Sequence, residues 1–176
     1  MIDFSQNYFA LFGLPAAFHL DNGRLEQSFR DIQAQVHPDK FAHAGAAEKR
    51  LSMQWATQVN QAYQTLKNPI TRGRYLLQLQ NIDTQEETNT AMPAGFLMEQ
   101  MEWHEAIAEA QTTADAAELD RLHAKARKAI QQLQEELGAQ LDQQHDYAEA
   151  AQSVRKLRFF DKLREEIKDA LEALEA

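Results

Sequence analysis

Apolar residues recur three and four positions apart along most of this chain, and no stretch shows the two-residue alternation of a half-buried strand. A 3.6-residue period gathers such positions onto one stripe of a helix, so the pattern predicts an all-α fold. Leu25, Phe29, Ile32 and Val36 form one stripe, on a helix expected to start from an N-cap at Asp21 and to stop at Pro38. Leu51, Trp55, Val59, Ala62 and Leu66 form a second, so two helices of similar length are expected to pack as an antiparallel hairpin. A short helix from Tyr8 to Gly13 precedes them, and another begins at Pro69 behind a cap at Asn68. Four helices thus account for residues 1–80.

Residues 81–94, NIDTQEETNTAMPA, lack apolar periodicity and read as a linker. Three longer helical patterns follow, near 95–111, 115–137 and 146–175, and predict a three-helix bundle over 95–176. The middle one opens with an Asp115-x-x-Glu118 capping signal, carries Leu119, Leu122, Ala126, Ile130, Leu133 and Leu137 on one face, and is expected to end or kink at Gly138. The two halves differ in charge. Lys plus Arg against Asp plus Glu count 8 against 6 in residues 1–80 and 10 against 21 in 81–176, giving +2 and −11. So acidic a second half repels phosphate backbones, which argues against a nucleic-acid partner. The chain has no cysteine, which excludes disulfides and thiolate ligation of zinc or of an iron–sulfur cluster. No N-terminal targeting pattern and no apolar run approaching about 20 residues is present, so a cytoplasmic protein without a membrane partner is expected.

His37-Pro38-Asp39-Lys40 falls where the first long helix stops. Proline disfavours helical geometry at His37 and stiffens the turn behind it. Asp39 then presents a carboxylate suited to a bidentate partner arginine, and His37 can orient the turn or donate to the partner. A catalytic dyad is a poor fit, because an exposed turn buries neither group and no nucleophile, oxyanion donor or phosphate-binding glycine loop accompanies them. The other histidines, 19, 43, 104, 123 and 145, form no i, i+4 pair and are expected to be solvated, with no metal or cofactor site.

With YFALFGL at 8–14 before the tripeptide and NQAYQTLKNP at 60–69 after it, residues 1–80 resemble a J-domain nearly end to end. The resemblance implies docking on a DnaK-type chaperone and stimulation of its ATPase through His37, Pro38, Asp39 and Lys40. J-domains usually carry several cations on the helix before the tripeptide, whereas here only Arg24 and Arg30 do so, with Glu26 and Asp31 between and beside them. Arg30 is the candidate helix-borne contact, and the muted charge suggests a specialised chaperone.

On the helix FLMEQMEWHEAI, Phe96, Trp103, Ile107 and Ala110 form one core stripe, while Leu97, Met98 and Met101 fall roughly opposite with Glu102 and Glu105. A three-helix bundle cannot bury both faces, so the second is expected to be exposed, apolar and flanked by acid. On the last helix Phe160 is in register with the core and Phe159 lies about 100° away. The segments AGFLMEQMEWHE at 94–105 and VRKLRFFDKLRE at 154–165 resemble the C-terminal domain of the HscB co-chaperones. That resemblance implies a non-enzymatic adaptor bringing an IscU-type iron–sulfur scaffold to an HscA-like ATPase. It places the scaffold-binding surface on Leu97, Met98, Met101, Glu102, Glu105 and Phe159, with Met101 standing where the family has leucine. A general J-protein or other helical adaptor is the alternative.

Overall fold

A computed structural model describes residues 6–41, 43–85 and 92–175. These form seven α-helices with no strand among the described residues, and the chain divides into two compact units, Met1–Gln80 and Asn81–Ala176.

The first unit contains α1 (Tyr8–Leu11), α2 (Asn22–Val36), α3 (Ala46–Lys67) and α4 (Pro69–Leu79). Asp21 caps α2 by accepting the Arg24 N–H at 3.0 Å. Asn68 caps α4 through Ile70 N–H at 2.8 Å, with Pro69 in the first turn where no donor is needed. Between α2 and α3, Pro38–Phe41 make one 3-10 turn. Leu25, Ile32 and Val36 of α2 are buried against Val59, Ala62 and Leu66 of α3, and the Phe29 and Tyr63 rings stack at 4.0 Å. The short α1 is held on α4 by the stacked Tyr8 and Tyr75 rings, 4.4 Å apart, and by the Tyr8 N–H donated to Tyr75 Oη at 3.0 Å. Gly13 follows α1 at φ +64°, a conformation that a side chain would strain.

Leu51 departs from expectation: it is 41 % exposed, and Ser52 takes the inward position at 0 %. At about 100° per residue Ser52 lies about 20° from Val59 around the helix and Leu51 about 80°. The Ser52 hydroxyl can be buried because it donates to the Lys49 carbonyl at 3.2 Å.

The second unit is a bundle of α5 (Ala94–Thr112), α6 (Ala116–Ala139) and α7 (Tyr147–Glu175). Asp115 caps α6 by accepting the Glu118 N–H at 2.9 Å. Gly138 lies one residue before the end of α6, close to where the helix is expected to end or kink. It is buried within the helix, which runs on to Ala139 and into a π turn over Gln140–Gln144; the chain reverses at His145, left-handed at φ +54°. The core combines Phe96, Trp103, Ile107 and Ala110 of α5, Leu119, Leu122, Ala126, Leu133 and Leu137 of α6, and Ala150, Val154, Leu157, Phe160, Leu163 and Ile167 of α7. Of the stretch read as a linker, residues 86–91 lie outside the described residues. Thr84 is buried, and its carbonyl accepts from Arg155 Nη1 on α7 at 3.1 Å.

Candidate partner-binding sites

The turn after α2 is built around His37. Its carbonyl accepts the Lys40 N–H at 3.0 Å, closing the 3-10 turn, and its Nδ1 accepts the Asp39 N–H at 3.2 Å. A neutral ring accepting at Nδ1 carries its proton on Nε2, which leaves Nε2–H as a donor. The Asp39 carboxylate lies 3.5 Å from the same Nδ1 and pairs with it only when the ring is protonated. With its side chain 92 % exposed, that carboxylate is available to a cationic partner group. Lys40 is exposed beside it.

Arg30 lies on α2 seven residues before His37, the residue that caps the end of the helix. Its guanidinium is already engaged, with Glu26 Oε1 at 3.1 Å and Gln27 Oε1 at 3.3 Å. Both members of the Arg30–Glu26 pair are exposed, so a stronger acceptor on a partner can displace so weak an i, i+4 contact.

In the second unit, α5 presents two apolar faces. Phe96, Trp103, Ile107 and Ala110 are buried, whereas Leu97, Met98 and Met101 are 42, 64 and 64 % exposed. Glu102 and Glu105 are exposed on the same side. The face is therefore apolar, carried on a rigid helix and bordered by carboxylates, an arrangement that suits a partner with a complementary apolar patch and positive charge. Phe159 is half-buried, at the edge of this face and not fully outside the core. Its ring meets Phe96 at 5.5 Å and Phe160 at 5.2 Å, edge to face.

His104, expected to be merely solvated, is the residue at this face that sequence reasoning missed. It stands edge-on to the Phe159 ring at 5.8 Å, and its Nδ1 lies 3.6 Å from Glu166 Oε2 on α7. The available signal was its place on the outer side of α5, three residues after Met101 and seven after Leu97. Among the described residues no group of three or more His, Cys, Asp or Glu could hold a metal ion, and no helix is long and apolar enough to cross a membrane.

Residues 92–168 match the family model described as the HSCB C-terminal oligomerisation domain. Over the whole chain, the sequence is 51 % identical to a co-chaperone protein HscB homolog of Aromatoleum aromaticum, covering 99 % of this chain and 98 % of the relative. It is 52 % identical to one of Chromobacterium violaceum, with 98 % and 97 % covered. The chaperone HscB from Vibrio cholerae superposes with a TM-score of 0.85 at 39 % identity, covering 96 % of this chain and 99 % of that one. Human co-chaperone protein HscB gives a TM-score of 0.88 at 32 % identity, with 94 % and 82 % covered.

Proposed function

Since the chain belongs to the HscB co-chaperone family, we propose that it brings an IscU-type iron–sulfur cluster scaffold to an HscA-like, DnaK-type ATPase and stimulates that ATPase. In this reading residues 1–80 are the J-domain that meets the chaperone through His37, Pro38, Asp39, Lys40 and Arg30. Residues 95–176 receive the scaffold on Leu97, Met98, Met101, Glu102, Glu105 and Phe159, and residues 81–94 join the two. The protein works in the cytoplasm and carries out no chemistry of its own, and the cluster is cargo that stays on the scaffold. Tethering two partners through one chain raises their effective concentration for each other, which is how an adaptor without a reaction can accelerate delivery.

The exposure of Leu97, Met98 and Met101 on a helix whose opposite face is already buried is the observation that supports this reading most. Three large apolar side chains held in water on one rigid stripe are costly unless something covers them. Isothermal calorimetry of the full chain with a purified IscU-type scaffold tests it. The expected result is saturable one-to-one binding that Leu97→Ala with Met101→Ala abolishes; binding unaffected by that pair would refute it.

The match of residues 92–168 to an oligomerisation domain favours a second reading, in which the same apolar face covers a second copy of this chain. Sedimentation velocity over a range of concentrations separates the two, because self-association through this face would be relieved by the Leu97→Ala and Met101→Ala pair and competed by scaffold.

A further inference from the structure

Two helices of the second unit repeat one geometric relation. On α5, Leu97 and His104 are seven residues apart, and on α7, Phe159 and Glu166 are seven apart. Seven residues at about 100° each return to within about 20° of the starting direction, so each pair lies along one edge of its helix. His104 connects the two edges, its ring edge-on to Phe159 and its Nδ1 facing the Glu166 carboxylate.

Phe159 has three aromatic neighbours, and they are not equivalent. Phe96 and Phe160 are buried and support its ring from the core side. The His104 side chain is 55 % exposed and bounds the ring on the solvent side. Without it Phe159 would lose its aromatic neighbour on the solvent side, and more of its rotamer freedom would be left to freeze at the moment of binding. A ring already held by packing on both sides avoids part of that cost.

We infer that His104, beside the Glu166 carboxylate, is a positioning residue that presets Phe159 for the partner. This inference rests on the proposed scaffold face, and it adds to that face a residue whose effect passes through Phe159. His104 gains its leverage from sitting at the α5–α7 seam, where one ring and one carboxylate of α7 are both in reach.

Calorimetry of the full-length chain with a purified IscU-type scaffold tests the inference with Phe159→Leu, His104→Ala, Glu166→Ala and the double variant His104→Ala/Phe159→Leu. The leucine truncation is chosen to keep binding measurable. His104→Ala is expected to weaken binding about three- to tenfold, with an unchanged urea midpoint. In the Phe159→Leu background it should cost nothing further, because no ring remains to be positioned. Glu166→Ala, which leaves the histidine ring in place, should weaken binding about twofold by removing the carboxylate that faces the ring. Loss with His104→Ala that adds fully to Phe159→Leu would make His104 a direct contact and overturn positioning. Loss with Phe159→Leu but none with His104→Ala would overturn the inference and leave the face standing. An unchanged affinity for Glu166→Ala would overturn the part assigned to Glu166. If neither Phe159→Leu nor His104→Ala changes affinity, Phe159 is not part of the scaffold face and the inference falls with it, whereas the face as a whole stands or falls with the Leu97→Ala and Met101→Ala pair.

Discussion

The neighbouring phenylalanines of α7 test the division between core and surface within one helical step. Phe160 is 2 % exposed, with Phe96, Trp103 and Phe159 packed edge-on at 6.2, 5.7 and 5.2 Å. Truncating such a ring leaves a cavity and forfeits three aromatic contacts, so Phe160→Ala should cost about 3–5 kcal/mol of stability. Phe159 is half-buried. Since full burial of a phenylalanine is worth about 1.5–3 kcal/mol, partial burial sets the cost of Phe159→Ala at about 1–2 kcal/mol. It should also weaken scaffold binding by about 1–2 kcal/mol, or roughly five- to thirtyfold in affinity, as expected of an aromatic anchor. Urea unfolding followed by the fluorescence of Trp103 in a Trp55→Phe background reports on the second unit alone, and calorimetry with an IscU-type scaffold gives the affinity. If Phe159→Ala destabilised the bundle as much as Phe160→Ala and left affinity unchanged, Phe159 would be core and the assignment of the surface would be refuted.

His37→Gln and Asp39→Asn should each remove stimulation of the DnaK-type ATPase while shifting stability by about 0.5 kcal/mol or less, because both side chains are exposed; steady-state phosphate release and urea titration check the two halves. Arg30→Ala should weaken stimulation more at low salt than at high salt, and Glu26→Gln, which removes the charged partner of the guanidinium on its own helix, should act in the opposite direction. Leu51→Gln should leave the first unit within about 0.5 kcal/mol of the parent, whereas Leu66→Ala, at a fully buried position, should cost about 2–5 kcal/mol in the same denaturation assay. Burial raises the pKa of Tyr75 above its ordinary 10.0, so above that pH the native state keeps a proton that the unfolded chain has lost. Stability of the first unit should therefore fall as pH rises from about 10, and Tyr75→Phe should flatten that fall in urea titrations at pH values on either side of it.

The sequence by itself determined what depends on residues within a few positions of one another. The helical period set the all-α class, Asp21, Asn68 and Asp115 set the helix starts, and the spacing of Phe96, Trp103, Ile107 and Ala110 against Leu97, Met98 and Met101 showed that α5 carries one apolar face too many. The histidine-proline-aspartate turn was legible for the same reason, since proline acts on the residue before it. Tertiary structure decided the rest. Apolarity pointed to Leu51 as core, but packing of α2 against α3 selected the rotation that buries Ser52, whose hydroxyl finds a carbonyl on its own helix. Gly138 marks the end of α6 to within one residue, but the π turn over Gln140–Gln144 and the reversal at His145 that follow it depend on the packing of the bundle. Phe159 and His104 show the limit most directly. One reads as surface and the other as a solvated histidine, because no local pattern reports that α5 and α7 pack in a register bringing residues more than fifty positions apart into contact. Spacing encodes which face of a helix is apolar, whereas the axial offset between two helices is chosen by how all their side chains interlock, and that offset decides which ring His104 touches and which carboxylate faces it.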